Sequence, residues 1–400
     1  MFTKEICSIV ALNQRQEIEK KEEGIPREIA ETIDFRVPHA TILSGIRRSG
    51  KSTLLKQLMK KVKDYYYCNF EDPRLAGFTL ADFERLDAVF QEQWGEKKYY
   101  FFDEIQNISG WERYVRFLLD KGKKCIITGS NASLLSKELG TKLTGRHITY
   151  EVFPFSYTEM LVLKQKNATH GTFEEYLSKG GFPEFLLYEN QALHNGLLAD
   201  VLWRDVILRY NVREKKIVEQ LLLYLITNGG KEFSYNNLAH LFALGSPNSV
   251  ISYISYFEDS YLLFTVPMFA YSYKKQVKNP KKVYCIDTGF AAVNTASFSL
   301  DKGRMLETAV FLQLRRKYKN IFYFKEKYEC DFLVKEHEKV TEAIQVCYTL
   351  TEENKEREIA GLKEAMKDTK IKKGYIITMD QEDVIEEIQL IPAWKWFLKN

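Results

Sequence analysis

Eight consecutive residues, Gly45-Ile46-Arg47-Arg48-Ser49-Gly50-Lys51-Ser52, fit the pattern G-x-x-x-x-G-K-[ST] at every position. Glycines let the backbone curl until successive N–H groups face one point, and a helix starting there adds the positive end of its dipole. That is a cradle for an anion with several oxygens. Lys51 supplies a point charge and Ser52 a hydroxyl of the kind that ligates Mg2+, with Ser49 and Thr53 flanking the same turn. Arg47 and Arg48 either add phosphate charge or face solvent. Further along, the apolar run Lys98 to Phe102 ends abruptly in Asp103 and Glu104. Two acids closing a buried strand are expensive to desolvate unless a cation or water meets them. Asp103 is therefore expected to hold Mg2+ through water, and Glu104 to polarise an attacking water. A third apolar run closes in Thr128-Gly129-Ser130-Asn131, where Ser130 or Asn131 orients that water or reads a terminal phosphate; turn chemistry explains the Gly and Asn equally well. Arg146, after Leu143-Thr144-Gly145, either reaches the terminal phosphate held by a neighbouring subunit or forms a surface salt bridge.

These residues need a scaffold that brings strand ends together. Five β-rich runs (Ala40 to Ser44, Tyr65 to Phe70, Lys98 to Phe102, Cys125 to Thr128, His147 to Phe153) alternate with helical periods, the signature of a parallel sheet with crossover helices on both faces. The glycine turn lies between the first run, ATILS, and the helical STLLKQLMKKV. Five blocks are expected: a helical leader over 1–38, the α/β core over 39–155, a small helical lid over 156–212, a winged-helix pattern over 213–290, and a second α/β unit over 296–400. The lid is broken by Gly180-Gly181-Phe182-Pro183. The winged-helix block shows three helix-sized segments, one capped by Ser234 and one opened by Ser246-Pro247, then an apolar hairpin carrying Lys274, Lys275, Lys278, Lys281 and Lys282.

Composition removes several function classes. With 58 basic and 54 acidic residues among 400, the net charge of +4 is too balanced for a chain that coats nucleic acid or a membrane throughout. Any basic surface is local. Six scattered cysteines form no C-x-x-C pair, which argues against a disulfide framework or structural zinc and for a reducing compartment. The start is too charged for a signal peptide, and the longest nearly apolar run, Tyr261 to Tyr271, is too short for a membrane span. A cytoplasmic chain with no membrane partner is expected.

The runs GIRRSGKST, NFEDPRL, FFDEIQNISGWERYVRFLLD, ITGSNASLL and LTGRHITYEVFPFSYTEM resemble a prokaryotic family of AAA-type P-loop ATPases, near the archaeal-ATPase and STAND groups, that carry a C-terminal domain of uncharacterised role. The resemblance continues through YLSKGGFPEF, WRDVILRY, KKVYCIDTGF, ECDFLV and IQVCY. It implies ATP as the nucleotide and Mg2+ as its metal. It also implies Lys51 and Ser52 as phosphate and Mg2+ ligands, Asp103 and Glu104 as the Walker B pair, Ser130 or Asn131 as sensor, and Arg146 as finger. The preference for adenine over guanine comes from this resemblance alone.

The winged-helix block has 9 basic and 6 acidic residues between Arg213 and Phe290, yet its recognition-type helix, Pro247 to Asp259, contains no Lys or Arg. Direct base readout wants such residues. The block is expected to pack within the chain, with weak non-specific DNA contact left open. The C-terminal unit resembles the PD-(D/E)XK, or restriction-endonuclease, architecture: Glu307 on a helix, Asp331 in ECDF, and the strand Ala343-Ile344-Gln345-Val346-Cys347. Active members need a second acid and a lysine, where this chain has Gln345 and Cys347. Nuclease activity is not expected, unless a migrated cation (Lys325, Lys327, Lys355 or Arg357) restores the site. The reading is a Mg2+-dependent ATPase acting as a nucleotide-driven switch, with an ATP-regulated DNA-binding or DNA-processing protein as alternative and self-association placing Arg146 in trans.

Overall fold

The computed structural model describes residues 3–130, 145–294 and 301–399, so Asn131, Leu143 and Thr144 lie outside the described residues. The chain divides into two compact units, Met1–Val152 and Phe153–Asn400. In the first, strands β1 (Ala40–Ser44), β2 (Tyr65–Asn69), β3 (Tyr99–Asp103), β4 (Lys124–Gly129) and β5 (His147–Glu151) form one sheet of order β2-β3-β4-β1-β5, with every pairing parallel. Helices α1 (Lys4–Lys20), α2 (Lys51–Val62), α3 (Phe83–Trp94) and α4 (Trp111–Asp120) cover it. Alternation along the strands sorts the faces. Ile42, Tyr66, Cys68, Tyr100, Phe102 and Ile127 pack with residues of α1, α3 and α4. Their neighbours Leu43, Tyr67, Phe101 and Ile126 pack with Leu54, Leu55, Leu58 and Met59 of α2. Strands apolar at both parities must be covered twice, as a parallel sheet requires. The leader is part of this core: Cys7, Val10 and Ala11 of α1 are buried in it.

The second unit opens with α5 (Tyr157–Lys164), α6 (His170–Lys179), α7 (Pro183–Tyr188), α8 (Gln191–Asp200) and a π-helical stretch Val201–Leu208. The break at Gly180-Gly181 has a cause downstream. The Asp287 carboxylate accepts from the Gly181 N–H at 2.6 Å, and a Cβ on Gly180, at φ 73°, would stand 2.0 Å from Asp287 Oδ1. Helices α9 (Lys215–Thr227), α10 (Tyr235–Leu241) and α11 (Pro247–Asp259) follow, with Ser234 and Ser246 capping α10 and α11. A three-stranded antiparallel sheet of order β6-β8-β7 comes next in space: β6 (Glu232–Phe233), β7 (Leu263–Pro267), β8 (Lys281–Cys285). The expected lysine-bearing hairpin pairs as β7 and β8, but its connection differs. Its connection folds as a short helix, α12 (Tyr273–Lys278), and Lys282 points inward, 2 % exposed.

After α13 (Thr288–Asn294) and α14 (Lys302–Lys317) come β9 (Ile321–Lys325), β10 (Glu329–Glu336), β11 (Lys339–Val346), α15 (Lys355–Thr369), β12 (Gly374–Thr378), β13 (Asp383–Ile385), β14 (Ile388–Pro392) and α16 (Ala393–Lys399). The sheet order is β13-β14-β12-β11-β10-β9, antiparallel at its ends and parallel through β11-β12-β14. The sequence reading ended its strands near Thr378; two further strands and a helix complete the sheet.

Candidate nucleotide site

β1 hands the chain to α2 through the glycine turn, and the turn is built for close approach. A Cβ on Gly45 would lie 2.1 Å from the Val152 carbonyl oxygen, so only glycine passes the end of β5. Arg48 at φ 61° and Gly50 at φ 92° bend the loop back before the helix begins at Lys51. Arg48 is exposed, and Arg47 reaches Glu71 at 3.5 Å. From the leader, Arg27 donates to the Ser49 carbonyl at 2.6 Å while Gln57 accepts from the Arg27 N–H at 3.1 Å. Sequence reading missed Arg27, which has no motif around it.

Inside the turn, Lys51 is 5 % exposed, and its Nζ donates to the Gly45 and Ile46 carbonyls at 2.9 and 3.0 Å. It stands 4.0 Å from Glu104 Oε1. The Ser52 hydroxyl favours the charged form of the Asp103 carboxyl. Burial pushes the Asp103 carboxyl up, opposed by the hydrogen bond from Thr128, by the Ser52 hydroxyl and by the Lys51 charge. Thr128 joins the acid pair: its Oγ1 donates to Asp103 and accepts from the Glu104 N–H at 2.9 Å. Glu104 itself is held at φ 51°, ψ 43°, a left-handed conformation uncommon for Glu. Gln106 donates to its other oxygen.

Ser130 follows β4, whose Gly129 carbonyl accepts from the Gly45 N–H at 3.4 Å. Among the described residues, both Ser49 Oγ and Ser130 Oγ are buried without a hydrogen-bond partner. Buried polar atoms are rarely left so, and two orphaned hydroxyls beside a lysine, a helix N-terminus and a Ser–Asp pair fit a polyphosphate with its Mg2+. Thr53, half-buried on α2, rests near Gly24 of the leader and stands behind this cradle.

Arg146 is elsewhere. Its carbonyl accepts from the Ala40 N–H, which puts it at the start of β1, whereas the glycine turn lies at the other end, about 16 Å away at 3.3 Å per residue. Its guanidinium pairs with Asp120. Within its own chain Arg146 therefore does not reach the phosphate cradle; of the two expected roles, the surface salt bridge is the one this structure contains.

The second unit holds another charged constellation. Lys282 Nζ lies 2.7 Å from Glu329 Oε1, 2.9 Å from Asp331 Oδ1 and 3.0 Å from Glu307 Oε1. Tyr284 donates to the same Glu307 oxygen at 2.6 Å. Burial pushes the Glu307 carboxyl above the usual carboxylate range while Lys282 opposes the shift. Gln345 accepts from the Asp331 N–H at 3.2 Å and donates to Glu358. The Cys347 thiol is buried and pushed up to about 11. None of the four expected migrated cations does what Lys282 does. Lys325 bridges Glu232 and the rim acid Glu329, Lys355 pairs with Glu352, Arg357 with Glu358, and Lys327 lies over Tyr328. Lys282 was missed because its partners sit on β10 and α14, and no local pattern announces them. Among the described residues, no group of three His, Cys, Asp or Glu side chains is set to hold a metal ion.

Residues 37–161 match the AAA domain family, 170–299 a domain of unknown function (DUF8612), and 302–396 a second domain of unknown function (DUF4143). An uncharacterized protein of Methanocaldococcus jannaschii is 35% identical over 439 aligned positions, covering 100% of this chain and 96% of that protein. An uncharacterized protein of Haemophilus influenzae is 26% identical, over 90% of this chain and 94% of its own length. Among solved structures, AMPPCP-bound DnaA from Aquifex aeolicus is 14% identical over 62% of this chain and 88% of its own, with a TM-score of 0.31. The ADP form of the Aeropyrum pernix ORC2 protein is 13% identical over 78% and 93%, with a TM-score of 0.32. Scores this low establish no residue-level equivalence.

Proposed function

The chain belongs to the family of the uncharacterized Methanocaldococcus jannaschii protein, marked here by an AAA-type, nucleotide-binding ATPase domain followed by DUF8612 and DUF4143, and from that premise we propose a Mg2+-dependent ATPase that works as a nucleotide-driven switch. The observation that carries this reading is the gathering of Lys51, Ser52, Asp103 and Glu104 at one end of the sheet, with Lys51 Nζ 4.0 Å from Glu104 and the Ser52 hydroxyl favouring the charged form of Asp103. Ser52 and Asp103 are the residues to hold Mg2+, which when bound neutralises charge between neighbouring phosphate oxygens. The backbone N–H groups at the start of α2, with Lys51, bind and orient the triphosphate. Glu104, fixed from both sides by Gln106 and Thr128, accepts the proton of the attacking water and aims it. The orphaned Ser130 hydroxyl is placed to donate to that water or to the terminal phosphate. The buried side of the cradle keeps bulk water out.

Three finer assignments follow the same proposal. The helices α9 to α11 with the β7-β8 pair make a winged-helix module, supported by their order and by the Ser caps. The β9 to β14 sheet makes a PD-(D/E)XK-like domain without nuclease activity. Support comes from Lys282, which occupies the space among Glu307, Glu329 and Asp331 that a metal needs, and from Gln345 and Cys347 standing where an acid and a lysine are required. Arg146 acts in trans in an oligomer. Six cysteines, all free and buried, fit a reducing compartment such as the cytoplasm, and no helix among the described residues is long and apolar enough to cross a membrane.

The decisive test is calorimetric titration of ATP with Mg2+ into the protein and into Lys51→Ala and Glu104→Gln. Binding by the first and third, loss in the second, and slowed phosphate release in the third are expected. A folded wild-type protein that takes up no nucleotide would end the proposal.

A further inference from the structure

The connection between β7 and β8 carries an exposed surface that no role above uses. Tyr271 is 76 % exposed and Tyr273 is 79 % exposed, the two most exposed large hydrophobic side chains among the described residues. The helix that follows, α12, presents Lys274, Lys275 and Lys278 to solvent and buries nothing. A hydrogen bond fixes where this segment lies. The Tyr271 hydroxyl donates to the Asp368 carbonyl at 2.8 Å, holding it against the C-terminal end of α15. There the chain exposes Lys367, Lys370 and Lys372. This bond sets two lysine-bearing segments, almost a hundred residues apart in sequence, beside each other, with two exposed tyrosines between them.

Among the described residues, no ion pair neutralises these lysines. Lys373, next in the chain, is paired with Glu342 and Lys325 with Glu232, but among the described residues none of the six lysines makes an ion pair. Asp368, half-buried, is the acid in their midst. Six uncompensated ammonium groups attract a polyanion, and their flexible stems suit a phosphate chain rather than one bidentate acid. The tyrosines narrow the choice. An open ring offers a stacking platform for a base, which a duplex has already stacked and a single strand leaves free. The recognition-type helix α11 has no Lys or Arg with which to read a duplex groove.

We propose that the surface formed by Tyr271 to Lys278 and Lys367 to Lys372 binds single-stranded nucleic acid, lysines on phosphates and Tyr273 stacked on a base. The proposal rests on this surface alone and stands or falls separately from the ATP switch.

Fluorescence anisotropy of the full chain with labelled oligo-dT and with a duplex of equal length tests it. The single strand is expected to bind more tightly, with a log K against log salt slope of about −4 if all six lysines meet phosphates. Lys274→Glu/Lys275→Glu/Lys278→Glu should weaken binding at least about tenfold at roughly 50 mM salt and flatten the slope by about 2. Tyr273→Ala should weaken it about 5- to 100-fold at an unchanged slope. Circular dichroism and thermal unfolding of the same preparations check that each variant is folded. Failure of the wild type to bind, a duplex held as tightly as the single strand, or either variant binding like the wild type would overturn the proposal.

Discussion

Replacing Lys282 by Met tests the electrostatic reading of the C-terminal cluster most sharply. Met keeps the length and apolar stem of the side chain, so the packing cost of a nearly isosteric swap stays below about 1.5 kcal/mol. The charge is what disappears. Glu307 and Asp331 each place an oxygen within 3.0 Å of the lysine nitrogen, so those oxygens are at most about 6 Å apart, and at an effective dielectric near 20 their repulsion is about 3 kcal/mol. Orphaning one side of a buried ion cluster costs about 3 to 5 kcal/mol, and the two figures agree. The cheapest relief is to protonate Glu307, whose carboxyl burial has already pushed up. The sign follows. Without Lys282 the folded-state pKa rises further above its unfolded value, so the variant recovers stability as pH falls through that raised pKa and loses it as pH rises. Urea unfolding should show a loss of about 3 to 5 kcal/mol at pH 8 that shrinks toward pH 5.5, and Glu307→Gln added to Lys282→Met should recover part of it. A loss under about 1 kcal/mol, or one independent of pH, would refute the argument.

Other predictions address the remaining charged groups. Thr128→Val frees both Walker B acids from their shared hydroxyl and should reduce kcat about 10- to 100-fold with little change in nucleotide affinity, checked by steady-state phosphate release. Arg146→Ala should leave ATP binding intact but abolish any rise in specific activity with protein concentration; equal loss at every dilution would argue against a neighbour's site. Asp287 is fully enclosed, and burial lifts its carboxyl to about 7 despite N–H donors from Gly181, Gly289 and Phe290. Its folded pKa exceeds its unfolded value near 3.8, so its contribution to stability is greatest below about pH 4 and declines as pH rises toward 7. Asp287→Asn should flatten that slope in thermal unfolding curves taken across this range.

What the sequence disclosed, and what it withheld, follow the range of the forces involved. The glycine turn was legible because its requirements are local: Gly45 must clear a carbonyl and Gly50 must sit at φ 92°. The parallel sheet was legible because Tyr99 to Phe102 is apolar at both parities, which only two covered faces satisfy. Residues acting over distance were invisible. Arg27 reaches the glycine turn across 22 positions, and Lys282 meets acids from α14 and β10 although it stands in a run of lysines that reads as a solvated edge. The helix α12 has no buried residue and hence no apolar period to betray it. The motif around Arg146 does not say which end of the sheet it occupies, which emerges only from the pairing of Ala40 with His147.

Lys51 and Lys282 are both buried beside carboxylates, and their differences decide where chemistry is possible. Lys282 is bonded to three acids within 3.0 Å; turning it toward a ligand would strip charge-assisted bonds from a nearly dry site, a loss no weakly held anion repays. Lys51 donates instead to two neutral carbonyls and stands 4.0 Å from Glu104. Exchanging a carbonyl for a phosphate oxygen replaces a neutral acceptor by a charged one, roughly doubling the strength of that bond. The first lysine is a counter-ion that closes a site, and the second is held in reserve for an anion from outside.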